Sequence, residues 1–147
     1  MMQPPRTAQW LGYGGLLPFM GLAGATLWLG PLEGARTAAA LLAYGASILS
    51  FIGAIHWGLA MRDKTRPNDS TDNGLLLWGV LPSLLAWVAL LAGTVPGLCL
   101  LVLGLWACYV VDSKVYPRFG LHAWLPMRLV LTMVATLACA ITAWTLR

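Results

Sequence analysis

From Thr37 to Met61 the chain runs for 25 residues without an Asp, Glu, Lys or Arg. At about 1.5 Å of rise per residue, a helix of that length outreaches the roughly 30 Å hydrocarbon core of a bilayer. The same run contains Tyr44-Gly-Ala-Ser-Ile-Leu-Ser-Phe-Ile-Gly-Ala-Ile-His-Trp-Gly58, with a histidine, two serines and three glycines where lipid alone would favour leucine. One side of this helix must therefore face protein. Small residues let helices approach closely, and an ionisable residue within a span marks a place to look for function.

The rest of the chain belongs to the same class. Of its 147 residues, 59% are hydrophobic and 10% charged, with a mean hydropathy of +0.76, too little polar material to cover a soluble domain. The expected fold is all-α, a single integral membrane bundle over residues 1–147 with five transmembrane helices. Apolar windows place them at 9–29, 37–61, 74–92, 95–111 and 125–144. The fourth is bounded by Pro96 near one side and Asp112 at the other, and a hairpin from Gly93 to Pro96 joins it to the third.

Five spans put Arg6, Arg62, Lys64, Arg66, Lys114, Arg118 and Arg128 on one side, against Arg36 and Arg147 on the other. The positive-inside rule then predicts a cytoplasmic N-terminus and a C-terminus outside. The expected location is a bacterial inner membrane, or the mitochondrial inner membrane with the matrix as the positive side. Trp10, Trp28, Trp124 and Trp144 fall near span ends, as an interfacial aromatic belt requires. The net charge of +4 is read as topology and contact with anionic lipid, and no nucleic-acid partner is expected. Ala23-Gly-Ala25 resembles a signal-cleavage site, and an uncleaved first span is the expectation.

No chemistry announces itself. There is no Cys-x-x-Cys, no glycine-rich phosphate loop and no nucleophile elbow, so no catalytic residue, metal or cofactor is assigned and no enzyme is expected. Cys99 and Cys108, nine residues apart on one helix, point to opposite faces and cannot bridge each other.

Within the second span Ala46, Ser50, Ala54 and Gly58 recur every fourth residue beside Gly53. That spacing predicts a small-residue wall for close helix packing, with Ile48, Ile55 and Leu59 turned to lipid. His56 lies on the shoulder between the two faces. It reads as an interhelical hydrogen-bonding histidine, as a proton-handling or ligand-binding group, or as a metal or haem ligand; His122, the other histidine, is predicted in a loop. Pro18 and Pro82 interrupt the first and third spans, and each deprives a carbonyl one turn earlier, those of Gly14 and Trp78, of its usual donor. Tyr109, Asp112, Lys114 and Tyr116 gather at the end of the fourth span, with Arg128 just inside the fifth. Asp112 is expected to pair with Arg128 or Lys114, and a site that joins it to His56 is the sharper alternative.

Three stretches in order, the Tyr44–Gly58 segment, Trp78-Gly-Val-Leu-Pro-Ser-Leu-Leu-Ala-Trp87 and Trp124-Leu-Pro-Met-Arg-Leu-Val-Leu-Thr132, resemble a small multi-pass family catalogued as domain of unknown function thirty-four twenty-nine. That family has bacterial members and a mitochondrial transmembrane protein of animals. The resemblance spans nearly the whole chain. Where the family pattern has an aromatic and a basic residue after the tryptophan, this chain has Leu125-Pro-Met127, so only Arg128 is carried over. The resemblance implies a membrane location and no activity.

The leading expectation is an accessory, scaffold or assembly protein that docks through small-residue helix faces on a membrane complex or on a second copy of itself. The alternatives are a carrier or proton-linked transporter built on His56, Asp112 and the kinked spans, and the binding of an apolar ligand such as a quinone between aromatic side chains.

Overall fold

Helix dominates because nothing else satisfies the backbone of so apolar a chain. A computed structural model describes residues 3–62 and 70–147, and the side chains of all of these but 70–72. It contains six α-helices: α1 Arg6–Gly14, α2 Leu16–Trp28, α3 Pro31–Arg62, α4 Ser70–Leu91, α5 Thr94–Val115 and α6 Leu125–Thr145. Two 3₁₀ turns, Tyr116–Phe119 and His122–Trp124, link α5 to α6. Helices α2 to α6 form a ring in chain order that closes from α6 back to α2, while α3 also touches α5 across the middle. Phe19, Leu41, Leu49, Leu98, Leu101 and Leu105 fill the centre.

Among the described residues four helical segments are long and apolar enough to cross a membrane: Pro31–Arg62, Asn73–Leu91, Thr94–Phe119 and His122–Thr145. The expected first span is instead two short helices that meet at Gly15. Pro18 has no N–H to offer the Gly14 carbonyl, and the helix is interrupted just there. The next carbonyl, that of Gly15, accepts a hydrogen bond from the Tyr44 hydroxyl at 2.8 Å, so α3 holds the bend. Pro82, by contrast, does not break α4.

Local chemistry sets the other ends. Pro31 opens α3, where its fixed φ suits a helix start, and Glu33 in the first turn faces the positive end of the helix dipole. The α4–α5 connection turns at Gly93, whose φ of 90° only glycine adopts without strain. The hairpin expected there is present. Lys64 and Arg66, which carry part of the orientation argument, lie outside the described residues.

Helix α5 does not stop near Val111 as expected. It continues to Val115 with Asp112 inside it and fully buried. A charge ends a span only when it has to reach water; here it finds a partner within the protein.

Helices α3 and α4 approach closely. A Cβ on Gly53 would lie 2.6 Å from the Gly79 carbonyl oxygen and 3.0 Å from Pro82 Cγ, so the two backbones touch at a pair of glycines. In lipid, where helices gain little from hydrophobic burial against each other, such contact is a main source of cohesion. The face that packs is Leu41, Leu42, Gly45, Ala46, Leu49, Gly53 and their neighbours. Of the expected wall, Ala46 and Gly53 are buried in the bundle, Ser50 is half-buried, and Ala54 and Gly58 are exposed. Leu59 is buried and Ile48 and Ile55 half-buried, not lipid-facing. A strict four-residue repeat drifts around a helix of 3.6 residues per turn, and over three repeats it leaves the contact line.

Candidate functional site

Spacing along three helices brings the ionisable groups together. His56 lies near the last turns of α3, Asp112 in the last turn of α5 and Arg128 in the first turn of α6. All three are at the end of the bundle that carries the 3₁₀ linker, where Gly120, with φ at 70°, reverses the chain so that α6 returns alongside α5. The linker is short, and its turn fixes the two charges at one depth.

The Arg128 Nε and Nη2 both donate to Asp112 Oδ2, at 2.9 and 2.7 Å. His56 Nε2 faces the other oxygen, Oδ1, at 3.4 Å without forming a hydrogen bond. His56 and Asp112 are 0% exposed and Arg128 7%. Leu59, Leu75, Val115 and Tyr116 form an apolar plug beside them that separates the cluster from the end of the bundle. Inside such a plug a guanidinium and a carboxylate hold each other strongly, and either one alone is costly. The Trp78 ring stands edge-on to His56 with centroids 6.5 Å apart, and Cys108 is buried one turn before Asp112.

The structure thus joins Asp112 to both of its expected partners, Arg128 by hydrogen bonds and His56 by proximity. It leaves two candidates outside. Lys114 is exposed. Tyr109 packs its ring on Trp106 at 6.0 Å. Among the described residues no group of three or more His, Cys, Asp or Glu could hold a metal ion.

A cavity of about 520 Å³ adjoins the cluster, between α1–α2, α3 and α6. Its wall is almost wholly apolar, with Leu11 and Phe51, both largely exposed, among its lining residues. Four of its lining residues carry polar side-chain groups: Arg128, whose guanidinium is bonded to Asp112, Tyr116, Trp124 and Thr132. Among the described residues the Trp124 Nε1 and Thr132 Oγ1 atoms are buried without a hydrogen-bond partner. That is uncommon for Thr132, because hydroxyls in this chain usually bond to the carbonyl four residues back, as those of Thr26, Ser47, Ser50, Thr136 and Thr145 do. The expected belt position of Trp124 is also only partly met: Trp10, Trp28 and Trp144 are exposed, while the Trp124 indole N–H is turned inward.

Tyr116 was expected in the cluster at the end of the fourth span, whereas Trp124 and Thr132, as groups beside the cavity, escape a search for ionisable residues. Their signal is helical spacing, since Tyr116 lies four residues after Asp112, while Trp124 and Thr132 lie four residues either side of Arg128.

Residues 4–144 match the model of a family described as "Protein of unknown function (DUF3429)". Transmembrane protein 69 of Xenopus tropicalis is 34% identical over 137 residues, covering 89% of this chain and 51% of the relative. The chain thus spans about half the length of that protein. No solved structure matches.

Proposed function

The chain belongs to the DUF3429 family of membrane proteins, and from that premise we propose that it is a non-catalytic binding protein whose cavity takes a lipid-soluble small molecule. The observation that carries this reading is an apolar cavity of ligand size, with the largely exposed Leu11 and Phe51 among its lining residues, beside the buried Asp112–Arg128 pair.

The topology proposed with it has α1 and α2 as one bent crossing, which makes five, with the N-terminus on the cytoplasmic or matrix side of an inner membrane. In support, Gly15 alone separates α1 from α2 and its φ of −64° and ψ of −14° are close to helical, and residues 6–28 laid end to end as helix would reach about 34 Å. Arg62, Lys114 and Arg118 stand at one end of the bundle.

A second reading, the accessory or scaffold role, is favoured by a different face. Ala43, Ser47, Ala54 and Gly58 form an exposed small-residue stripe on α3, of the kind on which another span packs. The carrier reading has less to stand on, because the charge of Asp112 is already committed to Arg128.

One purification in mild detergent tests both. Extraction and mass spectrometry are expected to find a near-stoichiometric apolar molecule with the wild-type protein and much less with Ile48→Phe or Leu131→Phe, which fill the cavity from its wall. Equal recovery from all three proteins overturns the ligand reading. A stoichiometric protein partner that is lost with Ala54→Leu establishes the scaffold.

A further inference from the structure

We infer that α1 is a hinged gate on the cavity, turning about Gly15 so that a lipid-soluble molecule enters sideways from the bilayer between α1 and α3. The inference rests on the binding role proposed above and adds how the ligand gets in.

Helix α1 is a loosely held wall of the cavity. Ala8, Leu11, Gly12 and Gly15 all line it, at the spacing that puts them on one face of a helix. The other face carries Trp10 and Tyr13, which are exposed, and no residue of α1 is buried. Segments that bury so little are the ones that open first. At Gly12 the helix rests on α6, where a Cβ would lie 2.8 Å from Met127 Cε and 3.5 Å from Leu131 Cδ1. Methionine is pliable, so this contact can be made and broken without moving α6.

The pivot is built into the sequence. Gly12, Gly14 and Gly15 fall within four residues, and glycine resists bending least. Pro18 leaves the Gly14 carbonyl without its helical donor, so the hydrogen-bond ladder is already open there. Just beyond, the chain is fixed. The Tyr44 hydroxyl holds the Gly15 carbonyl at 2.8 Å, and Leu16 and Phe19 are buried, so the start of α2 stays on α3 while α1 turns.

The mouth lies where this movable wall meets a rigid one. Leu11 on α1 is 73% exposed and Phe51 on α3 67%, and both line the cavity. Helix α3 is continuous over 32 residues and is pinned to α4 at Gly53, which makes Phe51 the fixed side. Rotation of α1 about Gly15 carries Leu11 away from Phe51 and widens the opening to lipid.

The test places spin labels on the outer faces of α1 and α6, at Trp10→Cys and Met133→Cys, in the full chain in lipid nanodiscs with the exposed Cys99 replaced by serine. Pulsed double electron resonance is expected to show two distances for this pair, closed and open. The control pair, Met20→Cys on α2 with Met133→Cys, is expected to show one. Gly14→Ala adds a methyl that meets nothing within 4 Å, so it acts by stiffening the helix, and is expected to reduce the open population about threefold to fivefold. Met127→Ala removes the side chain under Gly12 and is expected to raise it. A single distance for the Trp10 pair, or an open population that Gly14→Ala leaves unchanged, overturns the hinge.

Decylbenzene, a ring and tail without a headgroup, separates the gate from the binding role. Retention through gel filtration, read by mass spectrometry, is expected for the wild type and not for Ile48→Phe, with release from Gly14→Ala about threefold to fivefold slower than from the wild type. If the wild type retains no more than Ile48→Phe, the binding role falls and the label distances decide the hinge by themselves. If the probe is retained but leaves the wild type and Gly14→Ala at the same rate, the gate falls and the binding role stands.

Discussion

Asp112 divides its two oxygens between two neighbours. One oxygen takes both hydrogen bonds from Arg128, and the other faces an imidazole that comes within 3.4 Å. The energetic weight of such a pair shows when one half is removed. Asp112→Ala leaves a buried guanidinium with no counterion, and is expected to cost roughly 3–5 kcal/mol. Replacing both residues by apolar ones of similar volume, Asp112→Leu with Arg128→Met, is expected to recover most of that loss. Thermal unfolding in detergent of the two single variants and the double measures the coupling; losses that simply add would mean that the pair contributes nothing as a pair. At this scale the sequence was informative where residues are ionisable. An uncharged run makes a histidine or an aspartate conspicuous, and His56, Asp112 and Arg128 could be named before any coordinates. Thr132 and Trp124 could not, because a hydroxyl or an indole in an apolar helix has many ways to be satisfied, and only the three-dimensional neighbours reveal that these two are not.

Helix α3 shows how far an element can be read from its residues alone. Its existence follows from composition, though it begins at Pro31, six residues before the expected span, and small residues do mark its close contact with α4. Which small residues make the contact depends on the rotation of the helix against α4, and that is set by Gly79 and Pro82 on the partner. Gly53→Ala is expected to destabilise by about 1–3 kcal/mol because the new methyl meets backbone and a proline ring that cannot rotate away. Ala54→Leu, on the exposed side, is expected to change stability by less than about 0.5 kcal/mol. Melting temperatures of the two variants in one detergent decide it, and equal losses would remove the glycine contact from the account. The two prolines were alike in sequence and differ in effect. Pro18 falls near three glycines, Gly12, Gly14 and Gly15, which have little propensity to hold a helix, and the helix is interrupted there. Pro82 is packed into the α3 contact, and α4 continues through it.

For the molecule as a whole, the four helices long and apolar enough to cross among the described residues were legible from length and hydropathy. The third and fifth expected spans match to within about three residues, and the other two are short by six to eight at one end. A fifth was expected over 9–29, where the structure has α1 and α2 with Gly15 between them and the Tyr44 hydroxyl bonded to the Gly15 carbonyl. The proposed five crossings make a direct prediction. Reporter fusions placed after Arg66 and after Arg147 are expected to report opposite sides of the membrane, with the first on the cytoplasmic or matrix side. The same compartment for both would mean that one of α4 to α6 does not cross. A reporter ahead of Arg6 on the side opposite the Arg66 loop would leave four crossings and remove α1–α2 from the membrane.

The Asp112–Arg128 pair also bears on how the chain is made. Delivered to lipid separately, α5 would bring in an unmatched carboxylate and α6 an unmatched guanidinium, at about 2.5–3.5 kcal/mol each on the scale measured for insertion. Only the two 3₁₀ turns separate the helices, so the charges can meet as soon as both have left the ribosome. Released by the translocation machinery as one hairpin, they cross with no net charge between them, and a contact that stabilises the finished bundle also eases its biosynthesis.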